Sequence, residues 1–278
     1  MKKKIVIIGL GLIGGSLAKA FQKYTECQIA GIDRNPAILK QALSCGAIDK
    51  IGGDEDIREA DVLYLCLYPQ ADIDFIAAHA HLLAPECIVT DTCGIKSEIC
   101  THLPRLAAEH GFHFVGGHPM AGKEQSGFSA SDADLFLRAS YILVPCGASP
   151  EAVRTLKGIA AALRFAGTVE ATPEQHDRMI AFTSQLPHVL ACSYVLSPCC
   201  PEHKGFSAGS YRDVSRVANI NETLWTELFI DNREALLGEL DTLITNITMI
   251  RDAVSESDAE ALCTLLRRGR QIKEMLGE

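Results

Sequence analysis

Three glycines near the N-terminus have the spacing of a phosphate-binding turn. Gly9, Gly11 and Gly14 give the pattern G-x-G-x-x-G directly after the apolar run 5–8, which is typical of a strand buried on both faces. The first glycine of such a turn permits a tight bend, and the second lets the backbone approach a pyrophosphate. The third lets the following helix lie close to the strand, so the pattern predicts a nucleotide-binding turn.

The residues after this turn favour a dinucleotide as the ligand. A helix beginning at Leu12 would direct unpaired N–H groups, including those of Leu12 and Ile13, at the phosphates. Asp33 ends the next predicted strand, nineteen residues after Gly14, where a carboxylate can accept hydrogen bonds from the ribose hydroxyls of adenosine. This carboxylate favours NAD, whereas the adjacent Arg34 leaves NADP as an alternative. The structural alternative for Asp33 is a turn that caps a helix.

A histidine in a second glycine-rich stretch has the position of an acid–base group. His118 follows a strand predicted over 112–115 and lies between Gly117 and Pro119, a context that excludes a helix. Asp91 likewise follows a predicted strand. Because ligands of doubly wound sheets bind at the carboxyl ends of strands, we expect both residues to border one crevice. His118 would then lie beside a nicotinamide, and Asp91 would contact the cofactor.

Strand and helix patterns alternate through the first 170 residues. Helices are predicted at 12–24 and 36–45, and strands at 5–8, 28–32, 61–67, 87–90, 112–115, 141–144 and 168–170. This alternation predicts an α/β, Rossmann-type doubly wound sheet.

The pattern changes at Thr172, where a threonine, a proline and Gln175 have the spacing of a helical capping box. Strand patterns then largely disappear, and Pro187 should kink the helix that starts here. We therefore predict a dinucleotide-binding domain over 1–171 and an all-helical domain for substrate binding and dimerisation over 172–278.

A long helix is predicted from Asn221, and a last helix is predicted to begin with a capping box at Ser257. Apolar residues along the long helix alternate at intervals of four and three, which is the heptad pattern of helices that pack against a partner. These residues are Leu236, Leu240, Leu243, Ile247, Ile250 and Val254. The pattern predicts a homodimer.

Composition excludes several classes of function. A net charge of −9 argues against an extended nucleic-acid surface, and no run reaches the roughly 20 apolar residues of a membrane helix. The basic start resembles a signal peptide, but the glycines from Gly9 to Gly15 fit a nucleotide turn better, so we expect a cytoplasmic protein. The eleven cysteines are scattered without zinc spacing, which predicts neither a metal site nor disulfides, and most should be small buried side chains.

Several motifs in order make the sequence resemble the prephenate and arogenate dehydrogenase family of tyrosine biosynthesis. The resemblance covers nearly the whole chain. It rests on the stretches 9–15, 91–96, 118–122 (His-Pro-Met-Ala-Gly), 184–188 (Ser-Gln-Leu-Pro-His) and 209–216, and on Glu124, Ser126, Gly127 and Trp225.

The resemblance implies an NAD-dependent oxidative decarboxylation of prephenate, with arogenate as the alternative substrate. It implies that His118 is the catalytic base at the ring hydroxyl and that Arg216 binds a substrate carboxylate. It also implies that His188 contacts the substrate and that Glu124 and Asp213 belong to an ionic arrangement around the pocket. An alternative for Asp213 is an ion pair with Arg216 along one helical turn.

Two positions depart from the family's pattern. Gly94 replaces a serine that would assist the histidine, which leaves Thr92 or a water molecule as substitutes, and Gln185 replaces a histidine. The β-hydroxyacid dehydrogenases are a rival enzyme class, but they need a lysine in the first long helix of the second domain, and none occurs between Lys157 and Lys204. A non-catalytic NAD-sensing regulator is the rival from another class.

Overall fold

A computed structural model describes residues 2–277, which form one eight-stranded sheet with flanking helices, followed by a helical C-terminal part. The strands are β1 (Lys4–Ile8), β2 (Gln28–Ile32), β3 (Lys50–Ile51), β4 (Val62–Leu65), β5 (Ile88–Asp91), β6 (His113–Pro119), β7 (Ser140–Val144) and β8 (Gly167–Glu170). Their order in the sheet is β3-β2-β1-β4-β5-β6-β7-β8.

Helices of the first part of the chain cover both faces of the sheet, and the part after β8 is helical. Those of the first part are α1 (Leu12–Tyr24), α2 (Pro36–Ser44), α3 (Asp54–Arg58), α4 (Pro69–His79), α5 (Ser97–His110) and α6 (Pro150–Ala162). Those of the second part are α7 (Pro173–Ile180), α8 (Leu186–Val195), α9 (Gly209–Ser215), α10 (Glu222–Asp231), α11 (Arg233–Ser255) and α12 (Ala259–Leu276).

The order of the first six strands is that of a dinucleotide-binding sheet, so the predicted Rossmann-type fold is confirmed. All strand pairs are parallel except β6–β7, which is antiparallel. The apolar run predicted as a strand is β1, and its residues from Ile5 to Ile8 are at most 2% exposed. Two apolar cores lie on the two faces of the sheet.

Strand β6 is longer than predicted, because it runs from His113 through His118 to Pro119. Beyond Val115 it leaves β5 and pairs with β7, so that His118 lies opposite Ile142. The expectation that His118 follows the strand is therefore wrong, because His118 is part of it. The ladder with β7 holds this backbone in an extended conformation.

The helix predicted from Asn221 is in fact two helices, α10 and α11, which meet at Asn232. The side chain of Asn232 turns inward, where Nδ2 donates to the backbone oxygen of Asp177 (2.9 Å) and to Oε1 of Gln185 (2.8 Å). The predicted cap at Ser257 is also wrong, because Asp258 caps α12 by accepting from the N–H of Ala261.

The capping box at Thr172 is confirmed, since Thr172 and Gln175 exchange hydrogen bonds between side chain and backbone. The disruption expected at Pro187 takes the form of a wide, π-helical turn at Ala181–Gln185, just before α8. Proline has no N–H to donate to the preceding turn, which favours such a local change in hydrogen bonding.

Within residues 2–277, no helix is long and apolar enough to cross a bilayer. All eleven cysteines are free thiols. The expectation that most of them are buried is wrong, because only Cys87 and Cys93 are, whereas Cys45, Cys199 and Cys263 are exposed. Those three lie in turns or on helical surfaces that the sheet does not cover.

Candidate active site

The glycine turn between β1 and α1 has the geometry of a phosphate cradle. Gly9 has φ +87°, and its N–H donates to the carbonyl of Ile32 (2.8 Å). A Cβ atom on Gly14 would lie 1.9 Å from the oxygen of Gly9, so only glycine lets the helix come this close. A Cβ atom on Gly11 would meet no atom within 4 Å, which leaves room for a ligand beside the backbone. The start of α1, with Leu12 and Ile13, follows at once.

Asp33 lies beside this turn, at the end of β2. Its Oδ2 accepts from the N–H of Leu10 and its Oδ1 from the N–H of Asn35, both at 2.8 Å. Asn35, not Asp33, is the residue that caps α2. Because each carboxylate oxygen has a further lone pair, Asp33 can still accept hydrogen bonds from a ribose. Arg34 is exposed next to it.

His118 contacts a second histidine that sequence reasoning missed. Its Nδ1 lies 2.9 Å from Nε2 of His176, which is on α7 in the second part of the chain. Nδ1 of His176 lies 2.7 Å from Oδ1 of Asp177. His176 and Asp177 are 2% and 3% exposed, whereas His118 is only partly buried. Both missed residues directly follow the capping box at Thr172, but no pattern in the chain links them to His118.

The carboxylate of Asp177 is held at the N-terminus of α5. Its Oδ1 accepts from the N–H of Lys96 and its Oδ2 from the N–H of Ser97, both at 2.7 Å. Burial opposes ionisation of Asp177, but the hydrogen bonds from His176 and Ser97 outweigh it and lower the pKa of this carboxyl group. The site therefore contains an ionised carboxylate behind two histidines.

Both histidines are neutral near pH 7. Burial, followed by the neighbouring His176 and Lys96, holds the pKa of His118 well below its usual value. Burial also lowers the pKa of His176, although the hydrogen bond to Asp177 acts in the opposite direction. A neutral imidazole at the carboxyl end of a strand can accept a proton from a substrate.

Asp91 does not face the crevice, in contrast to our expectation of a cofactor contact. Its side chain is buried, with Oδ2 2.6 Å from Nζ of Lys96 and 2.9 Å from the N–H of Cys93. Its Oδ1 accepts from the N–H of Gly117 (3.0 Å). The carboxylate thus ties the end of β5 to the backbone just before His118, and the structure does not support a direct bond from Asp91 to a cofactor.

The two departures from the family's pattern have different surroundings. A Cβ atom on Gly94 would lie 3.4 Å from Leu228, an ordinary contact, so a side chain is sterically permitted there. The hydroxyl of Thr92 donates to the carbonyl of Leu65 (3.1 Å), so its hydrogen is already used in a bond to the end of β4. Gln185 is 1% exposed, and its Nε2 donates to the carbonyl of Leu228 (2.8 Å), which gives it a structural role.

Arg216 reaches across to the first part of the chain. Its Nη1 lies 2.6 Å from Oε1 of Glu124, in the loop after β6, and both side chains are largely exposed. Hydrogen bonds to the backbone and to Arg216 lower the pKa of the Glu124 carboxyl group. The alternative pairing of Arg216 with Asp213 is thus replaced by one with Glu124, while Asp213 is exposed on α9.

His188 lies on α8 and packs against Trp225, with ring centroids 3.8 Å apart. Its Nδ1 lies 2.7 Å from the carbonyl oxygen of Val217, next to Arg216. Because a carbonyl can only accept, Nδ1 carries the hydrogen and Nε2 presents a lone pair. Burial lowers the pKa of His188, so this side chain offers a neutral acceptor instead of a cation.

Two family models match the chain. The "Prephenate dehydrogenase, nucleotide-binding domain" matches residues 17–165, and the "Prephenate dehydrogenase, dimerization domain" matches residues 172–268. A prephenate dehydrogenase of Bacillus subtilis (strain 168) is 32% identical over 286 residues, which cover 99% of this chain and 76% of the relative.

Two solved structures are similar over almost their whole length. The arogenate dehydrogenase of Synechocystis has a TM-score of 0.82 at 26% identity, with 99% of this chain and 100% of the other covered. The prephenate dehydrogenase of A. aeolicus, in complex with hydroxyphenyl propionate and NAD+, has a TM-score of 0.87 at 24% identity, with 100% and 99% covered.

Proposed function

Because the chain belongs to the prephenate dehydrogenase family, an oxidoreductase family of tyrosine biosynthesis, we propose that it converts prephenate to 4-hydroxyphenylpyruvate with NAD. The observation that carries this proposal is His118, a neutral, partly buried imidazole next to the carboxyl end of the sheet. A general base is needed there, because the ring hydroxyl of the substrate must lose its proton as hydride leaves.

His118 would accept the proton of the ring hydroxyl at Nε2. A nicotinamide dinucleotide bound in the glycine turn supplies the acceptor for the hydride from the same ring carbon. The ring carboxylate leaves as carbon dioxide, and the electrons of the broken carbon–carbon bond complete the aromatic ring. The ring oxygen becomes a carbonyl as hydride leaves and a phenolate as carbon dioxide leaves. It then takes back the proton that His118 holds, which gives the phenol without a separate acid.

The residues around the turn fit such a cofactor. Gly11 leaves room beside the backbone for a pyrophosphate, and the N–H groups of Leu12 and Ile13 lie at the start of α1, where a helix has no partners of its own for them. Asp33 retains acceptor capacity for ribose hydroxyls and would repel a 2′-phosphate, which supports NAD over NADP. The exposed Arg34 is the group through which NADP could be accepted.

On the substrate side, Arg216 supplies a planar pair of donors for a carboxylate. Arg216 now pairs with Glu124. On binding, the substrate carboxylate would either displace Glu124 from Arg216 or bind beside it, with Glu124 and Asp213 kept in the ionic arrangement around the pocket. The acceptor nitrogen of His188 supports a second candidate, arogenate, because the ammonium group of arogenate is a donor where prephenate has a keto oxygen. The Synechocystis relative is an arogenate dehydrogenase.

A homodimer is part of the proposal. Ile247, Ile250 and Val254 on α11 are 49%, 39% and 59% exposed, although the heptad pattern places them on a packing face. The match to a dimerization domain supports a second copy of the chain as the partner that covers these residues.

The proposed domain boundary lies between residues 171 and 172, since β8 ends at Glu170 and α7 begins at Pro173.

The experiment is to monitor NADH formation with prephenate and, separately, with arogenate. We expect turnover of prephenate, and His118→Asn should lower kcat by about 10²–10⁴-fold while NAD binding stays nearly unchanged. Faster turnover of arogenate than of prephenate would assign arogenate as the substrate. A chain that binds NAD but oxidises neither substrate would be a regulator and would contradict the proposal.

A further inference from the structure

The contacts behind His118 have a defined direction of hydrogen bonding. Three donors converge on the carboxylate of Asp177: the N–H groups of Lys96 and Ser97, and Nδ1 of His176. Since an ionised carboxylate can only accept, Nδ1 of His176 must carry a hydrogen. In a neutral imidazole the other nitrogen is then a bare acceptor, so Nε2 of His176 must accept from Nδ1 of His118.

We propose that His176 and Asp177 are positioning residues that hold the proton of His118 on Nδ1 and leave Nε2 as the base. This proposal rests on the proposed function, in which His118 accepts the hydroxyl proton. It adds no chemical step, because the two residues only decide which nitrogen of His118 can react. The order of atoms is Asp177 Oδ1, His176 Nδ1, His176 Nε2 and His118 Nδ1, joined by contacts of 2.7 and 2.9 Å.

The opposite direction of hydrogen bonding would need a protonated Asp177. Its carboxylate lies at the N-terminus of the fourteen-residue helix α5 and binds two backbone N–H groups there, an arrangement that stabilises a negative charge. The buried ammonium of Lys96, on the same segment, forms its ion pair with Asp91 (2.6 Å) and not with Asp177. The ionised state of Asp177 thus follows from the helix end and fixes the direction of the whole chain of bonds.

The arrangement also orients the ring. His118 lies on a strand whose backbone is paired on one side with β7 and is bonded through Gly117 to Asp91. Its imidazole can still rotate about two side-chain bonds, and the bond to His176 restricts that rotation. When His118 gains a proton, its Nδ1–H remains bonded to His176, and the negative charge of Asp177 lies behind that bond. Both effects favour proton uptake at Nε2.

The test compares variants that keep or weaken the preferred direction of bonding. Asp177→Asn removes the negative charge that holds the hydrogen on Nδ1 of His176. Its NH2 group must replace either Oδ1, which bonds His176 and Lys96, or Oδ2, which bonds Ser97, so the preference of His118 for a proton on Nδ1 is weakened. In serine hydrolases the analogous change costs about 10⁴-fold in kcat, and we expect a loss of about 10²–10⁴-fold here, with KM and NAD affinity within about threefold of wild type. Glu174→Gln removes the same charge from an exposed site on α7 and is the matched control.

His176→Gln and His176→Leu provide the rescue experiment. A glutamine amide has an acceptor oxygen for Nδ1 of His118 and a donor N–H for Asp177, so it reproduces the polarity of His176. We expect His176→Gln to retain at least about tenfold more kcat than His176→Leu. A role in packing alone would not favour the polar side chain, and equal kcat values for the two variants would contradict the proposal.

Nitrogen-15 NMR of histidine-labelled protein reads the proton position without any turnover. We expect His118 to be protonated at Nδ1 in the wild type and to show a larger share of the Nε2-protonated form in Asp177→Asn, and a wild-type proton on Nε2 would overturn the proposal. If the wild type oxidises neither substrate, the proposed function fails while this measurement still decides the proton position. If Asp177→Asn does not fold, the wild-type spectrum and the His176 pair decide it.

Discussion

A buried carboxyl group near the candidate site allows the electrostatics of this region to be tested quantitatively. Asp72 on α4 is 0% exposed, with Oδ1 accepting from the N–H of Leu67 (3.1 Å) and Oδ2 from the thiol of Cys93 (3.2 Å). Burial, and secondly the charge of Asp91, raises the pKa of Asp72 to about 7. Asp72 therefore carries its proton in the folded protein through most of the acidic range.

The sign of the pH dependence follows from the two states. In the unfolded chain Asp72 ionises near pH 4, whereas in the folded protein it keeps its proton until about pH 7. Between these values only the unfolded state releases the proton, so the free energy of unfolding falls as the pH rises, and the fall ends above pH 7. From pH 5 to pH 8 the loss covers about two pH units, or about 3 kcal/mol.

Asp72→Asn removes this titration and can keep both contacts, because the amide oxygen can accept from Leu67 and the amide nitrogen can donate to the sulfur of Cys93. We expect the variant to lose about 3 kcal/mol less stability than the wild type between pH 5 and pH 8. The measurement is urea unfolding at both pH values, followed by circular dichroism at one fixed protein concentration.

The matched control is Asp74→Asn, which removes the same charge from an exposed position of the same helix. It should leave the pH dependence of the wild type unchanged. An Asp72→Asn variant with the wild-type dependence would refute the reasoning, as would an equal change in the control.

Four further predictions concern the site and the assembly. Arg216→Ala should raise KM for prephenate by about 10–150-fold, since a charge-assisted bond to a carboxylate is worth about 1.5–3 kcal/mol, and an equal loss of NAD affinity would indicate misfolding instead. Asp33→Ser should weaken the use of NAD relative to NADP, and an unchanged ratio of the two kcat/KM values would leave Asp33 with only its bonds to Leu10 and Asn35. Because the pKa of His118 is lowered, the acidic limb of kcat/KM should lie below the usual range of histidine, and a limb within or above that range would contradict this environment. Sedimentation should give a dimer at micromolar concentration, and a monomer would disprove packing through α11.

Features that depend on neighbours in the chain could be predicted from the sequence. The glycine turn requires Gly9 at positive φ and Gly14 without a side chain, and both requirements are visible as spacing. The start of α7 depends on Thr172 and Gln175, which are three residues apart and bond to each other. In these cases the interacting atoms belong to one turn of backbone, so the local pattern contains the whole interaction.

Features that depend on distant parts of the chain could not be predicted in the same way. His176 meets His118 across 58 residues, and Arg216 meets Glu124 across 92. The position of Asp91 after a strand indicated a crevice, but the side chain instead turns to the buried Lys96. No periodicity identifies which polar residue on one element will face which partner on another, because that depends on how the two elements pack.

Because of the π-helical turn at Ala181–Gln185, the number of residues in this segment, and not only their type, determines which way the side chains of α8 point. A π turn contains one residue more than an α turn, and one residue corresponds to roughly 100° of rotation about a helix axis. Deleting a single residue from this segment would restore a regular helix and turn His188 away from Val217 and Trp225. Insertions and deletions should therefore be absent from this segment in functional homologues, even though Phe182 and Thr183 are exposed.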